Sequence, residues 1–222
     1  MRNKTIVIIP ARKGSKRLPE KNTKLLSGLP LIVHSILYAK KHAFIDQIYV
    51  TTNDLKVKKI AIQYGAKVID RPDSLSGDLE PTVTALNHVL EVIELEVENV
   101  ILLQVTNPLR PLNMLKDAFE IFNNKKLESL FTVTKNNHKL GEIVDSTFKP
   151  YNYKIGQRSQ DLEPLFYENG LLYIAKAYLI KKEIIISEKA FPLLINHPFS
   201  KVDIDNIDDF EYAEYLINKN SL

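Results

Sequence analysis

Cysteine is absent from the 222 residues, which rules out disulfides and thiolate metal sites. Long apolar runs are absent as well, and no stretch approaches the ~18 apolar residues of a membrane span. The start, MRNKTIVIIP, is basic, but its apolar run of about five residues falls short of the ~7–15 residues in the core of a signal peptide. A soluble, cytoplasmic protein is expected. Net charge is only +3, so wholesale nucleic-acid binding is not indicated and the position of charge matters more than its sum. GxxxxGK[ST], GxGxxG and GxSxG are all missing, which sets aside a Walker loop, a dinucleotide fingerprint and a nucleophile elbow. His34, His42, His88, His138 and His197 show no metal-like spacing. His34 and His88 fall in predicted helices and read as packing residues, whereas His138 lies in a polar stretch that could face a substrate.

What is present is enough for a large core, with 45% hydrophobic residues. Thr5, Ile6, Val7, Ile8 and Ile9 form a β-branched run, apolar on both faces, which reads as a strand buried in the middle of a sheet. Pro10 ends it. Residues 11–22 then carry Arg12, Lys13, Lys16, Arg17 and Lys21 against one acid, Glu20. A basic loop at the end of a buried strand suits polyphosphate. Gly14 and Ser15 add a flexible turn, a hydroxyl and backbone N–H groups able to meet phosphate oxygens. On these residues alone, a solvated loop is an equally good reading.

Pro30 is placed for the first position of a helix through Leu31, Ile32, Ser35, Ile36 and Ala39. Residues 47–52 form a strand, Asn53-Asp54 cap a helix through Ile60 and Tyr64, Gly65 stops it, and residues 66–69 form a third strand. Strand and helix in series predict an α/β fold with a mainly parallel central sheet and helices on both faces. After a polar loop over 70–83, Pro81 and Thr82 lead into a helix reaching about Glu98. The strand 99–105 follows, ending in the cluster from Gln104 to Arg110, and Pro111 opens a helix through Leu115, Ala118 and Phe122. Ligands of open parallel sheets bind beyond the carboxyl ends of strands. The basic loop, Arg71 and the Gln104 cluster all fall at such ends. Arg71 and Arg110 are either forks for phosphate or carboxylate, or fasteners that hold loops through carbonyls.

Residues 129–135 form another strand, followed by a polar stretch with Asn136, Asn137, His138, Lys139, Arg158, Ser159 and Gln160. Such a stretch is an excursion from the sheet or a lid and dimer arm. Glu168-Asn169-Gly170 is expected to turn the chain into the strand 171–175, with a further strand at 190–195 and a helix from about Ile207 to Ile217. One domain over 1–222, with an arm inserted at about 136–168, is the expected organisation. In Val202-Asp203-Ile204-Asp205, alternation puts both carboxylates on one face of a strand. Paired carboxylates repel unless a cation sits between them, and hard oxygens suit Mg²⁺. Alternatively Asp205 is the N-cap of the last helix, with Asp208 and Asp209 complementing its dipole, which leaves Asp203 without a reason.

IIPARKGSKRLPEKN resembles the signature loop, ARxGSKxxxxKN, of the sugar-nucleotide cytidylyltransferases acting on acylneuraminate (sialic-acid-like) sugars. RPDSLSGD, LLQVTNPLR, the Asn169-Gly170 pair before a Tyr-Ile strand and VDIDNIDDF resemble that family's later motifs in the right order. The resemblance spans nearly the whole chain and implies a Rossmann-like nucleotidyltransferase fold. It implies transfer of CMP from CTP to the anomeric hydroxyl of a nine-carbon 2-keto-3-deoxy sugar acid of N-acylneuraminate, legionaminate or pseudaminate type, with release of pyrophosphate. By the same resemblance Lys21, Arg12 and Asp203 are the catalytic set. Ala11, Arg12, Gly14, Ser15, Lys16, Lys21, Asn22, Arg71, Asp78, Thr82 and Gln104 bind CTP. Gln104, Lys139, Arg158, Gln160, Asn169 and Tyr173 hold the sugar acid, and Asp203 and Asp205 carry Mg²⁺. Asp203, Asp205 or metal-bound water would take the hydroxyl's proton.

The implied partners are CTP and a nonulosonic acid, with no nucleic acid and no membrane. The implied assembly is a homodimer in which the arm reaches the neighbouring site. Val105 and Asn107 depart from the family's common proline and serine, and Glu168 brings a negative charge where a neutral or basic residue is usual. Two other functions compete: a nucleotidyltransferase for another sugar acid, such as 3-deoxy-manno-octulosonate, and a nucleotide-binding regulatory module without turnover.

Overall fold

The computed structural model describes residues 4–220; residues 1–3 of the basic start and residues 221–222 lie outside them. The chain opens with strand β1 (Lys4–Pro10), a small hairpin of β2 (Leu25–Leu26) and β3 (Leu29–Pro30), and helix α1 (Leu31–Lys40). Strand β4 (Gln47–Thr52), helix α2 (Leu55–Gln63), strand β5 (Lys67–Asp70), helix α3 (Thr82–Val92), strand β6 (Val97–Leu102) and helix α4 (Met114–Asn124) follow. After strand β7 (Ser129–Asn136) the chain leaves the sheet through a hairpin, β8 (Gly141–Val144) and β9 (Thr147–Pro150). It returns as β10 (Leu165–Lys176), then short helix α5 (Ala177–Ile180), strand β11 (Phe191–Leu194) and helix α6 (Ile207–Asn220).

The main sheet runs β11-β7-β10-β6-β1-β4-β5, and β10 alone is antiparallel to its neighbours. β1 sits inside the sheet, as its apolar run requires, and its side chains divide by parity. Ile6 and Ile8 pack with Val83, Leu86 and Val89 of α3 on one face. Val7 and Ile9 pack with Ile32 and Ile36 of α1, Leu115 and Ala118 of α4 and Ala213 of α6 on the other. Two half-cores thus form on one strand, the direct consequence of a period-2 chain buried on both sides.

Local signals explain most element ends. The Asp54 carboxylate caps α2 by accepting the N–H groups of Lys56 at 2.8 Å and Val57 at 3.4 Å. Gly65, at φ +81°, ends that helix in the left-handed region. Three boundaries differ from expectation. Pro30 precedes α1 and pairs with Leu25 in the small hairpin, so it is not the first helical residue. α3 stops at Val92, well short of Glu98, because Glu94, Glu96 and Glu98 would crowd the negative end of the helix dipole. α4 starts at Met114 after a turn in which Met114 N–H donates to the Pro111 carbonyl.

Two further expectations are corrected. Glu168-Asn169-Gly170 does not turn the chain into a new strand; β10 runs straight through, and a register shift between Glu168 and Tyr173 makes the segment a bulge with Gly170 at φ +74°. Residues 202–205 belong to no strand, because a tight 3-10 turn ends at Lys201, the chain bends at Asp205 and α6 begins at Ile207. Their alternation survives nonetheless: Val202 and Ile204 are buried, Asp203 is exposed, and the Ile204 N–H donates to the Thr106 carbonyl at 2.8 Å.

Candidate active site

β1, β4, β5 and β6 are parallel, so the loops that follow them open on one edge of the sheet. The basic loop after β1 is fastened there mostly through its backbone. Ala11 N–H donates to the Thr51 carbonyl, Lys13 N–H to Asn53 Oδ1 at 2.8 Å, and Asn22 Nδ2 to the Arg12 carbonyl at 3.0 Å. Gly14, at φ +86°, takes a left-handed conformation that favours glycine in this loop. Tying the backbone this way leaves the side chains of Arg12, Lys16, Arg17 and Lys21 facing a cleft of about 520 Å³.

That cleft gathers most of the expected nucleotide set: Ala11, Ser15 and Asn22 from the first loop, Arg71, Asp78 and Thr82 from the second, and Gln104 from the third. Gly14 shapes the loop without lining the cleft. Five cations, Arg12, Lys16, Arg17, Lys21 and Arg71, face three carboxylates, Asp78, Glu80 and Asp205. Arg12 pairs with Asp78 at 2.7 Å, and Lys16 pairs with the other oxygen of the same carboxylate. Lys16 and Arg12 together hold the Asp78 carboxyl below the usual carboxylate range. Arg17 pairs with Asp205 at 2.7 Å, and Lys21 donates to Asp205 Oδ1 at 3.0 Å and to the Ile204 carbonyl at 2.8 Å.

Arg71 and Arg110 take different parts. Arg71 lines the cleft and donates from Nη2 to the Thr51 carbonyl at 2.7 Å, with no carboxylate partner among the described residues. Burial, then the charge of Arg12, bring its pKa down to about 10. Arg110 is a fastener. It donates to the Leu171 carbonyl at 2.7 Å, to Ser35 Oγ at 2.9 Å and to the Gln104 carbonyl at 2.8 Å, and burial lowers its pKa to about 10. The residue thereby sets where Gln104 stands relative to β10.

Asp203 and Asp205 end up close but unlike. Asp205 is engaged by Lys21 and Arg17, while no cation pairs with Asp203 among the described residues. Asp203 reaches solvent, yet the protein packed around its carboxyl removes part of its water and raises its pKa; the Thr106 hydroxyl opposes this, and the charge of Asp205 raises it further. The N-cap of α6 is Asn206, not Asp205: Asn206 Oδ1 accepts the Asp209 N–H at 3.0 Å, and Asp209 Oδ2 accepts the N–H groups of Asp205 and Asn206. Among the described residues, no group of three or more histidine, cysteine, aspartate or glutamate side chains converges on one point.

The expected sugar residues divide into two places. Asn169 and Tyr173 flank the bulge beside the cleft. The Asn169 side chain accepts from Thr132 Oγ1 at 2.6 Å and from Leu171 N–H, and donates to Thr134 Oγ1, so it holds the bulge together. The Tyr173 hydroxyl donates to Glu168, and burial followed by Glu168 raises its pKa. Lys139, Arg158 and Gln160 lie on the excursion and do not line the cleft. There Lys139 Nζ donates to the Gln157 carbonyl and sits over the Tyr153 ring, and Arg158 pairs with Asp161 at 2.8 Å. The excursion is shorter than expected, because the sheet claims residues through Asn136 and again from Leu165.

Sequence reasoning missed Arg17 as an Asp205 partner, although it was counted in the basic run; nothing in one dimension separates it from Lys13, which does not line the cleft. It also missed Asn107 as a staple. This buried side chain donates to the carbonyls of Asn169 at 3.1 Å and Val202 at 2.8 Å, joining the bulge to the acidic segment.

The chain matches the cytidylyltransferase family over residues 6–222. It is 32% identical over 215 residues to an N-acylneuraminate cytidylyltransferase of Streptococcus agalactiae serotype III, covering 93% of this chain and 52% of that protein. It is 33% identical over 234 aligned positions to a CMP-N,N'-diacetyllegionaminic acid synthase of Legionella pneumophila, covering 97% of each. The chain thus spans about half the streptococcal relative and nearly all of the other. A solved CMP:2-keto-3-deoxy-manno-octonic acid synthetase, complexed with CTP, shares the fold at a TM-score of 0.73 and 18% identity, over 98% of this chain and 100% of that one.

Proposed function

The chain belongs to the cytidylyltransferase family, and from that premise we propose that it transfers CMP from CTP to the anomeric hydroxyl of a nine-carbon 2-keto-3-deoxy sugar acid. The observation that carries this reading is the cleft in which five cations from two loops face the Gln104 loop and Asp205. Such a site suits a triphosphate, since multiple guanidinium and ammonium groups absorb its charge while fixing its direction.

In the reaction the anomeric oxygen attacks the α-phosphorus. The bond from that phosphorus to the bridging oxygen of the β-phosphate breaks, pyrophosphate leaves with the electron pair, and the hydroxyl proton is lost. Arg12, Ser15 and Lys16 hold the triphosphate, and Arg71 adds a charge that no carboxylate neutralises among the described residues. Lys21 lies on the α-phosphate, and Asn22, Thr82 and Gln104 address the nucleoside. Asp78 now occupies Arg12 and Lys16, so it acts as their counter-ion and yields them to phosphate oxygens. Holding two anions in line, which otherwise repel, is where most of the rate would arise.

Asp203 and Asp205 fit a hard divalent cation, Mg²⁺. They are neighbouring carboxylates beside the proposed phosphate site, and the charge of Asp205 raises the cost of charging Asp203. Two ligands suffice, because Mg²⁺ commonly takes one or two protein carboxylates and completes its shell with phosphate and water. When bound, the ion would neutralise phosphate charge and help orient the triphosphate.

The reading extends to a cytoplasmic homodimer. The excursion exposes Ile143, Tyr151 and Ile155 by 78%, 76% and 84%, a concentration of apolar surface that suits contact with a second copy and would bring Lys139 and Arg158 to its acceptor site. The test is pyrophosphate release from CTP, UTP, ATP and dTTP with Mg²⁺ and a panel of eight- and nine-carbon sugar acids. The expected result is turnover with CTP and a nine-carbon acid. Binding of CTP with no product for any acid would overturn the assignment.

A further inference from the structure

Glu168 stands on β10 two positions before Gly170, whose backbone lies against the side chains of Gln104 and Asn107. A Cβ placed at Gly170 would come within 2.9 Å of Gln104 Oε1, so this stretch forms the flank of the cleft. The Glu168 carboxylate is exposed, and its Oε1 accepts the hydroxyl of Tyr173, which is buried. Five positions of strand would ordinarily separate these side chains widely. The register shift between them brings them together. Tyr173 is kept in its protonated, donating form by burial and by the negative charges of Glu168 and Asp203. Among the described residues, no lysine, arginine or histidine pairs with Glu168 or with Asp203.

A carboxylate with one oxygen fixed by a buried phenol and the other facing solvent accepts further hydrogen bonds and donates none. It attracts N–H and O–H groups and repels anions. We infer that Glu168 is a specificity-determining residue for the acceptor, receiving an amide N–H or hydroxyl substituent of the sugar acid and turning the acid's own carboxylate away. Tyr173 is the positioning residue that fixes its rotamer. This rests on the acceptor reading given above.

The test is steady-state kinetics of the full chain and of Glu168→Gln, Glu168→Ala and Tyr173→Phe. The probes are acylamino-bearing nonulosonic acids and their counterparts with hydroxyl in place of the acylamino group. Glu168→Gln keeps an oxygen for Tyr173 while removing the charge and turning the outward acceptor into an NH2 donor, so it carries the test if Glu168→Ala fails to fold. The expected result is a rise in acceptor KM of roughly tenfold for Glu168→Ala, the size of one lost charge-assisted hydrogen bond. Glu168→Gln should give a smaller rise and a changed ranking of acceptors, Tyr173→Phe a rise of a few-fold, and KM for CTP should stay within about twofold throughout. Turnover with acceptor KM and ranking unchanged in Glu168→Gln and Glu168→Ala would overturn the role of Glu168 alone. Parallel shifts of both substrates' KM would reduce it to structural support. Absence of turnover by the unmodified chain with every acid would overturn the acceptor reading itself.

Discussion

Lys21 and Asp205 stand 184 positions apart in the chain and are joined by a 3.0 Å hydrogen-bonded ion pair. Lys21 also reaches the Ile204 carbonyl, so one ammonium ties the loop after the first strand to the segment before the last helix. Both side chains line the cleft, and the contact sets the proposed α-phosphate cation against one of the two proposed metal carboxylates.

Lys21→Ala should therefore reduce turnover by at least about a hundredfold, as loss of a charge-stabilising donor does in other transfer reactions. Asp205 keeps Arg17 as a partner, so the fold should remain, with a stability loss of about 1–2 kcal/mol. Pyrophosphate release and circular dichroism of the same preparation check both halves. Near-normal release would remove Lys21 from the chemistry.

Arg110→Met should destabilise the protein by about 3 kcal/mol, because the Leu171 carbonyl and the Ser35 oxygen lose their donor in the interior and the Gln104 carbonyl keeps only the longer bond from the Ser35 hydroxyl at 3.3 Å. The displacement of Gln104 should also raise KM for CTP. Urea unfolding gives the first number, and a midpoint equal to that of the unmodified chain would show that these carbonyls find other donors.

Gly170→Ala should cost about 1–3 kcal/mol for a left-handed non-glycine residue. The added methyl also meets Asn107 Oδ1 at 2.7 Å and Gln104 Oε1 at 2.9 Å. Thermal melting should fall and KM should rise, since the same side chains line or support the cleft. An unchanged KM would separate the bulge from the site.

Asp78→Asn should change the acid limb of stability. Lys16 and Arg12 depress the Asp78 pKa in the folded protein, so this pairing stabilises the fold above the ordinary aspartate pKa of about 3.9. It is lost as pH falls through the lower, folded value. Melting temperature measured from neutral to strongly acid pH should show the two proteins differing slightly at neutrality and converging in acid. The same variant frees Arg12 and Lys16 and should tighten CTP binding at low salt, which isothermal titration would read. Weaker binding would instead make Asp78 part of the nucleotide site.

Much of the fold was legible in one dimension because its signals are local. The β-branched run at Thr5–Ile9 marked a buried strand, Asp54 and Gly65 bracketed a helix, and the basic residues after Pro10 marked the edge of the sheet where the cleft lies. The bulge at Gly170 was misread because Asn-Gly is a strong turn signal. Only pairing with β7 on both sides of the bulge shows that the strand continues.

The sequence by itself determined the parity of β1, the cations of its loop and the alternation that exposes Asp203 while burying Val202 and Ile204. Tertiary structure decided which cations meet which carboxylates: Lys16 and Arg12 with Asp78, Lys21 and Arg17 with Asp205, and Arg71 with none among the described residues. It also decided that Arg110 and Asn107 serve carbonyls, and that Glu168 and Tyr173 meet across a bulge. The physical reason is range. Strand period and capping act within a few residues, whereas the partner of a long charged side chain depends on how loops from distant strands converge on one edge of the sheet.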